Sequence, residues 1–322
     1  MKEAISEIAL QYLTDQNRVV KATPFLKWAG GKGQLINQLI PFFPHELYQG
    51  QLTKYCEPFI GGGALFFYIS QIFDLKEKYI SDVNQDLILV FKTIYKDVDG
   101  LIDILIKIEE EYKNLNDIEQ STYYYHMRVL FNQNIGNINA NESNSYYIER
   151  AAQIIFLNRT CFNGLFRTNS NGQFNVPFGK YKNPRICQSE NLKSVSILLQ
   201  NSIIENGDFE SCESFIDNNT FVYLDPPYRP ISKSSNFTSY TSNIFGDQEQ
   251  IRLSNFFHRM DKKGAKILLS NSDPKNSDAD DNFFDNLYSN YEVSRVKANR
   301  MINCDSTRRG PISEIVITNY SI

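Results

Sequence analysis

The stretch FVYLDPPYRP, residues 221–230, runs from four strand-forming apolar residues straight into an acid, two prolines and a tyrosine. The apolar run reads as a buried strand, and the prolines end it. In open α/β sheets ligands bind beyond the carboxyl ends of the strands, and Asp225 lies at such an end. Proline fixes its own φ and restricts the residue before it, so Pro226 and Pro227 hold one extended shape. A proline-stiffened turn with an exposed acid would account for the prolines alone. It leaves the strand-end position and Tyr228 without a role, and Asp-Pro-Pro-Tyr arises by chance in a chain this long on the order of once in a thousand. The Asp225 carboxylate is therefore expected to stand unpaired in the free protein. With the Pro226 carbonyl it forms a rigid acceptor pair beside an aromatic plane, which suits a planar heterocycle carrying an amine: two acceptors for two N–H donors, and a ring to stack on.

Further strand-like runs are KYCEPF (54–59), KYISDV (78–83), AKILLSNSD (265–273), YEVSRVKA (291–298) and SEIVITNY (313–320). Strands alternating with helices imply βαβ units and a mostly parallel sheet. The last two runs are too close for a helical crossover, which predicts an antiparallel hairpin closing one edge. Between the two ends Leu101, Ile104, Leu105 and Ile108 recur at helical spacing, as do Ile148, Ala151, Ala152 and Ile155. The asparagine-rich tract at 132–145 reads as an exposed loop, and FRTNSNGQFNVPFGKYKNP (166–184) as a hairpin. A helical and hairpin module is thus expected inside an α/β domain.

With 322 residues and 42% hydrophobic content the chain can bury a substantial core. No apolar run reaches the roughly 18 residues of a membrane span, and the N-terminal MKEAISEIALQYLTDQ carries acids within its apolar periodicity, so a cytoplasmic location is expected. Five cysteines without a close pair point to reduced packing residues, with neither a disulfide framework nor a metal site. The net charge of −4 does not by itself favour a nucleic-acid partner. Its distribution does, because Arg159, Arg167, Lys180, Lys182, Arg185 and Lys193 face a single acid, Glu190, giving +5 over one segment rich in Asn, Gly and aromatics. That segment is the one candidate for a phosphate-facing surface.

Two glycine clusters have the look of phosphate loops. WAGGKGQL lacks the first glycine and the Ser/Thr of a P-loop, having Leu26 and Gly33 there. EPFIGGGALFF places Gly61 and Gly63 after a strand, but Phe66 replaces the third glycine of a dinucleotide fingerprint. What survives is a tight strand-to-helix turn, with Glu57 upstream and Asp82 at the end of the next strand, where a carboxylate can accept from ribose hydroxyls. The pair favours a nucleoside-bearing cofactor without a pyrophosphate.

The order PFLKWAGGKG (24–33), EPFIGGG (57–63), SDVNQDL (81–87), FNGLFRTNSNGQFNVPFGKYKNP (162–184), NGDF (206–209), DPPY (225–228) and NFTSYTSNIF (236–245) resembles the Dam-type DNA adenine methyltransferases, with the DpnII-type modification enzymes among the nearest in pattern. The resemblance spans about residues 22–320. It implies a class I methyltransferase fold, a Rossmann-like mixed sheet with a C-terminal antiparallel hairpin, in two domains. Residues 1–94 and 196–322 would bind S-adenosylmethionine and carry the chemistry; residues 95–195 would recognise the target. The cofactor would meet Trp28, Lys32, Phe59, Gly61, Gly63, Asp82 and Asp225, with Asp208 a weaker candidate for its adenine. Asp225, Pro226, Pro227 and Tyr228 would act on the N6 amine of an adenine flipped from duplex DNA. The transfer would be in-line, driven by position and electrostatics with no raised proton affinity required of Asp225.

The same resemblance assigns a DNA-contacting set. Lys27 would touch the first guanine, Arg167 would read a guanine edge, Phe162 would wedge into the vacated stack, Pro177 would meet a thymine methyl, and Asn163, Lys180 and Lys182 would complete the contact. In the family these positions accompany GATC recognition, and a restriction endonuclease would be a genetic rather than a physical partner. Phe162 stands where tyrosine is frequent, so a hydroxyl contact is lost and the wedge is kept. The polar loop at 229–243 is expected to order on substrate binding, and Tyr240 within it is left without a role. Two other readings remain open: a catalytically silent nucleic-acid binder, and an amine methyltransferase acting on RNA or protein. The intact DPPY with Lys32 and Asp82 weighs against the first, and the NVPFG hairpin against the second.

Overall fold

The computed structural model describes residues 21–133, 145–229, 245–299 and 311–322. The first twenty residues, most of the asparagine-rich tract, most of NFTSYTSNIF with Tyr240, and Cys304 lie outside these ranges. Seven strands form one sheet in the order β3-β2-β1-β4-β5-β7-β6. They are β1 (Lys54–Glu57), β2 (Glu77–Asp82), β3 (Ser202–Asn206), β4 (Thr220–Leu224), β5 (Lys266–Ser272), β6 (Glu292–Asn299) and β7 (Pro311–Thr318). The first five in chain order run parallel, and β7 pairs antiparallel with both β5 and β6. The terminal hairpin is present as expected. Its second strand lies inside: Ile315, Val316 and Ile317 of β7 are fully buried, whereas β6 carries Glu292, Arg295 and Lys297, side chains an edge strand tolerates.

Alternation along the strands builds two cores, one on each face of the sheet. Tyr55, Phe221, Tyr223, Leu268 and Val316 join one apolar cluster; Cys56, Val222, Leu224, Ile267, Leu269, Ile315 and Ile317 join the other. The first is covered by α1 (Ala64–Ile72), α2 (Gln85–Lys96) and α6 (Ser189–Leu199), the second by α7 (Asp247–Lys262) and the short α8 (Phe283–Leu287). β3 is the strand that sequence pattern did not reveal. Of its five residues only Ile204 is buried, so no alternation marks it, and its pairing with β2 alone defines it.

Between α2 and α6 in the chain come α3 (Val98–Lys113), α4 (Asp117–Gln133) and α5 (Ser145–Thr160). Their apolar stripes, Leu101, Leu105 and Ile108 on one and Ala151, Ala152 and Ile155 on another, merge into the first core. The buried Arg150 fastens this layer: Nε donates to Asp86 on α2, Nη1 to the Phe131 carbonyl on α4, and the guanidinium lies 4.1 Å over the Phe131 ring. Among the described residues no helix is long and apolar enough to cross a membrane.

The expected hairpin over 166–184 is a chain reversal with two isolated bridges, Cys161 to Phe178 and Thr168 to Phe174, and no continuous ladder. Pro177 lacks an N–H, and Lys180 sits at φ 54. The carbonyls of Phe174 and Val176 turn away to side chains of α4.

Gly63 caps α1 at φ 73, and a Cβ there would stand 3.0 Å from the Phe67 ring and 3.3 Å from Phe91. Gly63→Ala is therefore expected to cost about 1–3 kcal/mol, read as a lowered midpoint in denaturant unfolding. An unchanged midpoint would show that the turn relaxes freely.

Candidate active site

The sheet's order reverses between β1 and β4: β1 leads to β2 and β3 on one side, β4 to β5 on the other. Loops leaving neighbouring strands on opposite sides of this point diverge and leave a crevice. Here it is a cavity of about 850 Å³, lined by Trp28, Lys32, Phe59, Gly61, Gly63, Asp82, Asp208 and the whole Asp225–Tyr228 segment. All the residues expected around the cofactor thus line one cavity. Val83, Phe209, Phe245 and Arg252 line it as well. Val83 follows Asp82 and is 70% exposed, an unusual place for valine that its neighbours in sequence give no sign of.

Each carboxylate in the cavity has its own setting. Asp82 accepts from the Gly61 N–H at 3.1 Å on one oxygen and the Asn84 N–H at 2.9 Å on the other, which folds the glycine turn toward β2. Burial raises its proton affinity against those two bonds. Glu57 is deeply buried and takes the Tyr55 hydroxyl at 2.7 Å. Burial pushes its carboxyl well above the usual range, and the nearby Asp225 charge adds to the rise. Asp208 is held on both oxygens by Arg252, at 2.8 and 2.7 Å, and that guanidinium keeps it below the ordinary carboxylate range. Both oxygens carry an Arg252 donor where Asp208 lines the cavity.

Asp225 is not the unpaired acid expected from the sequence. Lys32 Nζ reaches its Oδ1 at 2.7 Å, and Ser270 Oγ donates to the same oxygen at 3.3 Å. Oδ2 has no donor among the described residues. A charged acid whose side chain is only 17% exposed is costly without a partner, and a lysine from the glycine-rich segment at 29–33 supplies one. Lys32 is itself only 4% exposed. It also meets the Tyr228 hydroxyl at 2.7 Å, lies 4.5 Å over that ring, and stands 3.9 Å from Glu314 on β7. Burial alone would lower the ammonium; Asp225, Tyr228 and Glu314 together raise it above an ordinary lysine. Burial raises Asp225, with Lys32 opposing and Glu314 adding to the rise. Glu314 and Ser270 were missed in the sequence because each sits mid-strand, in runs that read only as core.

The segment after Asp225 is clamped. Gln250 of α7 donates to the Pro227 carbonyl at 3.2 Å, and Arg229 forks onto Asp247 and reaches Asp281. No described residue donates to the Pro226 carbonyl.

A second surface continues from this cavity. Trp28 stacks on Phe166 with centroids 5.4 Å apart, and Asn158 ties the two parts by accepting from the Lys27 N–H and donating to the Lys27 and Gly164 carbonyls. Gly164 has φ 64, and a Cβ there would fall 2.3 Å from the Lys27 side chain, so only glycine admits this packing. Lys27 Nζ lies 5.0 Å over Tyr181. Lys27, Phe162, Asn163, Arg167, Pro177, Lys180 and Lys182 are all exposed. The structure gathers them: the Phe162 N–H donates to the Pro177 carbonyl, and Arg167 Nε donates to Asn175 Oδ1 at 2.8 Å. Arg159, counted with the basic segment, turns inward to the Phe25 carbonyl and leaves that face.

A mostly parallel α/β sheet thus carries an acid-Pro-Pro-aromatic segment at its reversal point, joined to an exposed loop surface bearing Lys27, Arg167, Lys180 and Lys182. A family model described as the D12 class of N6 adenine-specific DNA methyltransferases matches residues 28–302. Type II methyltransferase M.MjaIII of Methanocaldococcus jannaschii is 46% identical over 302 residues, covering 94% of this chain and all of the relative. A type II methyltransferase of Lactococcus lactis, M1.LlaDCHI, is 36% identical with 95% and 98% covered, and a DNA adenine methylase of Haemophilus influenzae is 34% identical with 92% and 93% covered. The chain belongs to the D12 class of N6 adenine-specific DNA methyltransferases, and it is an enzyme.

Removing Lys32 leaves Asp225 and Glu314 buried without a cation among the described residues. Lys32→Met is expected to lose about 3 kcal/mol of stability at neutral pH. A carboxyl whose native proton affinity exceeds its unfolded one gains a proton on folding, so the deficit should shrink as pH falls toward about 4. Denaturant unfolding at several pH values checks this; a deficit independent of pH would count against the pairing.

Proposed function

We propose that the chain transfers a methyl group from S-adenosylmethionine to the N6 amine of an adenine flipped out of duplex DNA, at GATC sites. The observation that carries the reading is Asp225: one oxygen is paired with Lys32 and Ser270, and the other, like the Pro226 carbonyl, has no donor among the described residues, with the Tyr228 ring lining the same cavity.

The cavity fits the cofactor on its own chemistry. It joins aromatic walls, Trp28, Phe59, Phe209 and Phe245, to the carboxylates Asp82 and Asp225, surroundings that favour a cation attached to a ribose. Asp82, steadied by the Gly61 and Asn84 amides, would take the ribose hydroxyls; Trp28, Phe59, Gly61 and Gly63 would line the remainder, with Lys32 beside Asp225. When bound, the cofactor supplies an electrophilic methyl on a sulfonium.

An aromatic amine is a weak nucleophile because its lone pair is delocalised into the ring. Asp225 Oδ2 and the Pro226 carbonyl would accept its two N–H groups, drawing them from the ring plane and leaving the lone pair to attack. Pro227, fixed by Gln250, keeps those acceptors still, which places the work in position and electrostatics. The proton shed by the amine can rest on Asp225, whose affinity for it burial has raised. Tyr228 would stack on the base once the Lys32 ammonium shifts from its face.

Base flipping is the route by which a duplex adenine reaches a site this deep. The exposed surface carrying Lys27, Phe162, Asn163, Arg167, Pro177, Lys180 and Lys182 supports a reading in which Phe162, 51% exposed, fills the gap and Arg167 reads a guanine edge. On this reading residues 95–195 form the recognition domain within a catalytic domain built from 1–94 and 196–322. The family description and the name of the Haemophilus influenzae relative speak of DNA adenine methylation, which favours DNA over RNA or protein amines.

Incubated with labelled S-adenosylmethionine, the purified protein should methylate adenine in GATC duplexes; transfer at some other sequence would refute the GATC assignment and spare the chemistry. Asp225→Ala should abolish transfer while retaining most DNA affinity in a gel-shift titration. Arg167→Ala should weaken discrimination at one base pair by about 1–3 kcal/mol, measured as kcat/KM on singly substituted duplexes. An equal loss on every sequence would make Arg167 a phosphate contact.

A further inference from the structure

The loop that carries Arg167 has almost no ladder of its own, yet one helix supplies what the ladder lacks. Tyr124, Arg128 and Asn132 lie four residues apart along α4 and so share one stripe. Tyr124 Oη donates to the Val176 carbonyl at 2.8 Å, and Arg128 Nη1 reaches the same carbonyl at 3.2 Å. Asn132 binds Phe174 twice: its Oδ1 accepts the Phe174 N–H at 2.8 Å and its Nδ2 donates to the Phe174 carbonyl at 3.0 Å. A carboxamide paired with both backbone groups of one residue does the work of a neighbouring strand. The next residue, Asn175, spends its N–H on the Arg167 carbonyl at 3.1 Å and its Oδ1 on Arg167 Nε. Arg167 is therefore held at backbone and at Nε, while both Nη groups are left without a partner among the described residues, the fork a base edge would need.

We propose that Asn132 is a specificity-positioning residue, which through Phe174 and Asn175 sets where the Arg167 guanidinium is presented. The inference rests on the reading of Arg167 as a base contact. Asn132 is half-buried at the last turn of its helix, and its amide meets a loop backbone rather than the core. Loss of its two bonds would let the Phe174–Asn175 segment shift and spread Arg167 over several orientations, with the cofactor cavity untouched.

The test compares kcat/KM on the preferred duplex and on singly substituted duplexes for the natural protein, Arg167→Ala, Asn132→Leu and the double variant. Asn132→Leu should reduce discrimination about tenfold at the one base pair that Arg167→Ala relaxes, and combining the two should add little, as coupled residues do. Cofactor affinity, followed by intrinsic Trp28 fluorescence, should stay within about twofold. Asn132→Asp, which keeps the acceptor and loses the donor, should fall between the natural protein and Asn132→Leu; if Asn132→Leu fails to fold, Asn132→Asp carries the same comparison. If Arg167→Ala relaxes one base pair and neither Asn132 variant does, or if the losses add in full, the inference is overturned. If Arg167→Ala relaxes none, the base-reading assignment of Arg167 is what fails.

Discussion

The pairing of β1 with β2 on one side and β4 on the other is the constraint from which the site follows. Parallel strands deliver their carboxyl ends to one edge of the sheet, and a reversal of strand order parts the loops leaving two neighbours. Glu57 and the glycine turn leave β1, Asp82 ends β2, and Asp225 follows β4. Residues as far apart in the chain as 57 and 225 therefore line a single cavity.

Within that cavity charge is distributed with some economy. Two acids flank one ammonium, so the Lys32 group is drawn to Asp225 Oδ1 while Glu314 stands 3.9 Å away as a second anion. The arrangement offsets the desolvation of one carboxylate oxygen and leaves the other without a donor among the described residues. It also puts a cation over the Tyr228 ring, in the place an adenine would occupy on the proposed mechanism. A lysine there holds Asp225 Oδ1 and lies over the aromatic ring, while Oδ2 and the Pro226 carbonyl have no donor among the described residues.

The recognition surface is joined to the cavity by packing rather than by a shared element. Trp28 belongs to the cavity wall and stacks on Phe166, the neighbour of Arg167; the buried Asn158 closes hydrogen bonds on both Lys27 and Gly164. The helical layer contributes through side chains that bind loop backbone. A loop rich in Asn and Gly, with a proline and left-handed residues in it, pairs only part of its own backbone, and α4 takes the Phe174 N–H and the Phe174 and Val176 carbonyls.

Much of this was legible in the order of residues. Five of the parallel or hairpin strand runs besides FVYL, the glycine turn, Asp82, and the helical insertion all announce themselves by local pattern, and that order was enough to place the chain among adenine methyltransferases. β3 was not legible, because an edge strand with one buried residue has no periodicity. The state of Asp225 was not either: its partner Lys32 is almost two hundred residues away in the chain, and Ser270 and Glu314 are single polar positions inside apolar strands. By itself the sequence determined which residues carry acceptors, aromatic faces and positive charge, since these depend on side-chain chemistry and on backbone limits such as those of proline and glycine. Only the tertiary structure decided which oxygen of Asp225 is open, that Asp208 is engaged by Arg252, and that α4 rather than a strand holds the Arg167 loop, because burial, pairing and hydrogen-bond satisfaction are properties of neighbours that the chain brings together only when it folds.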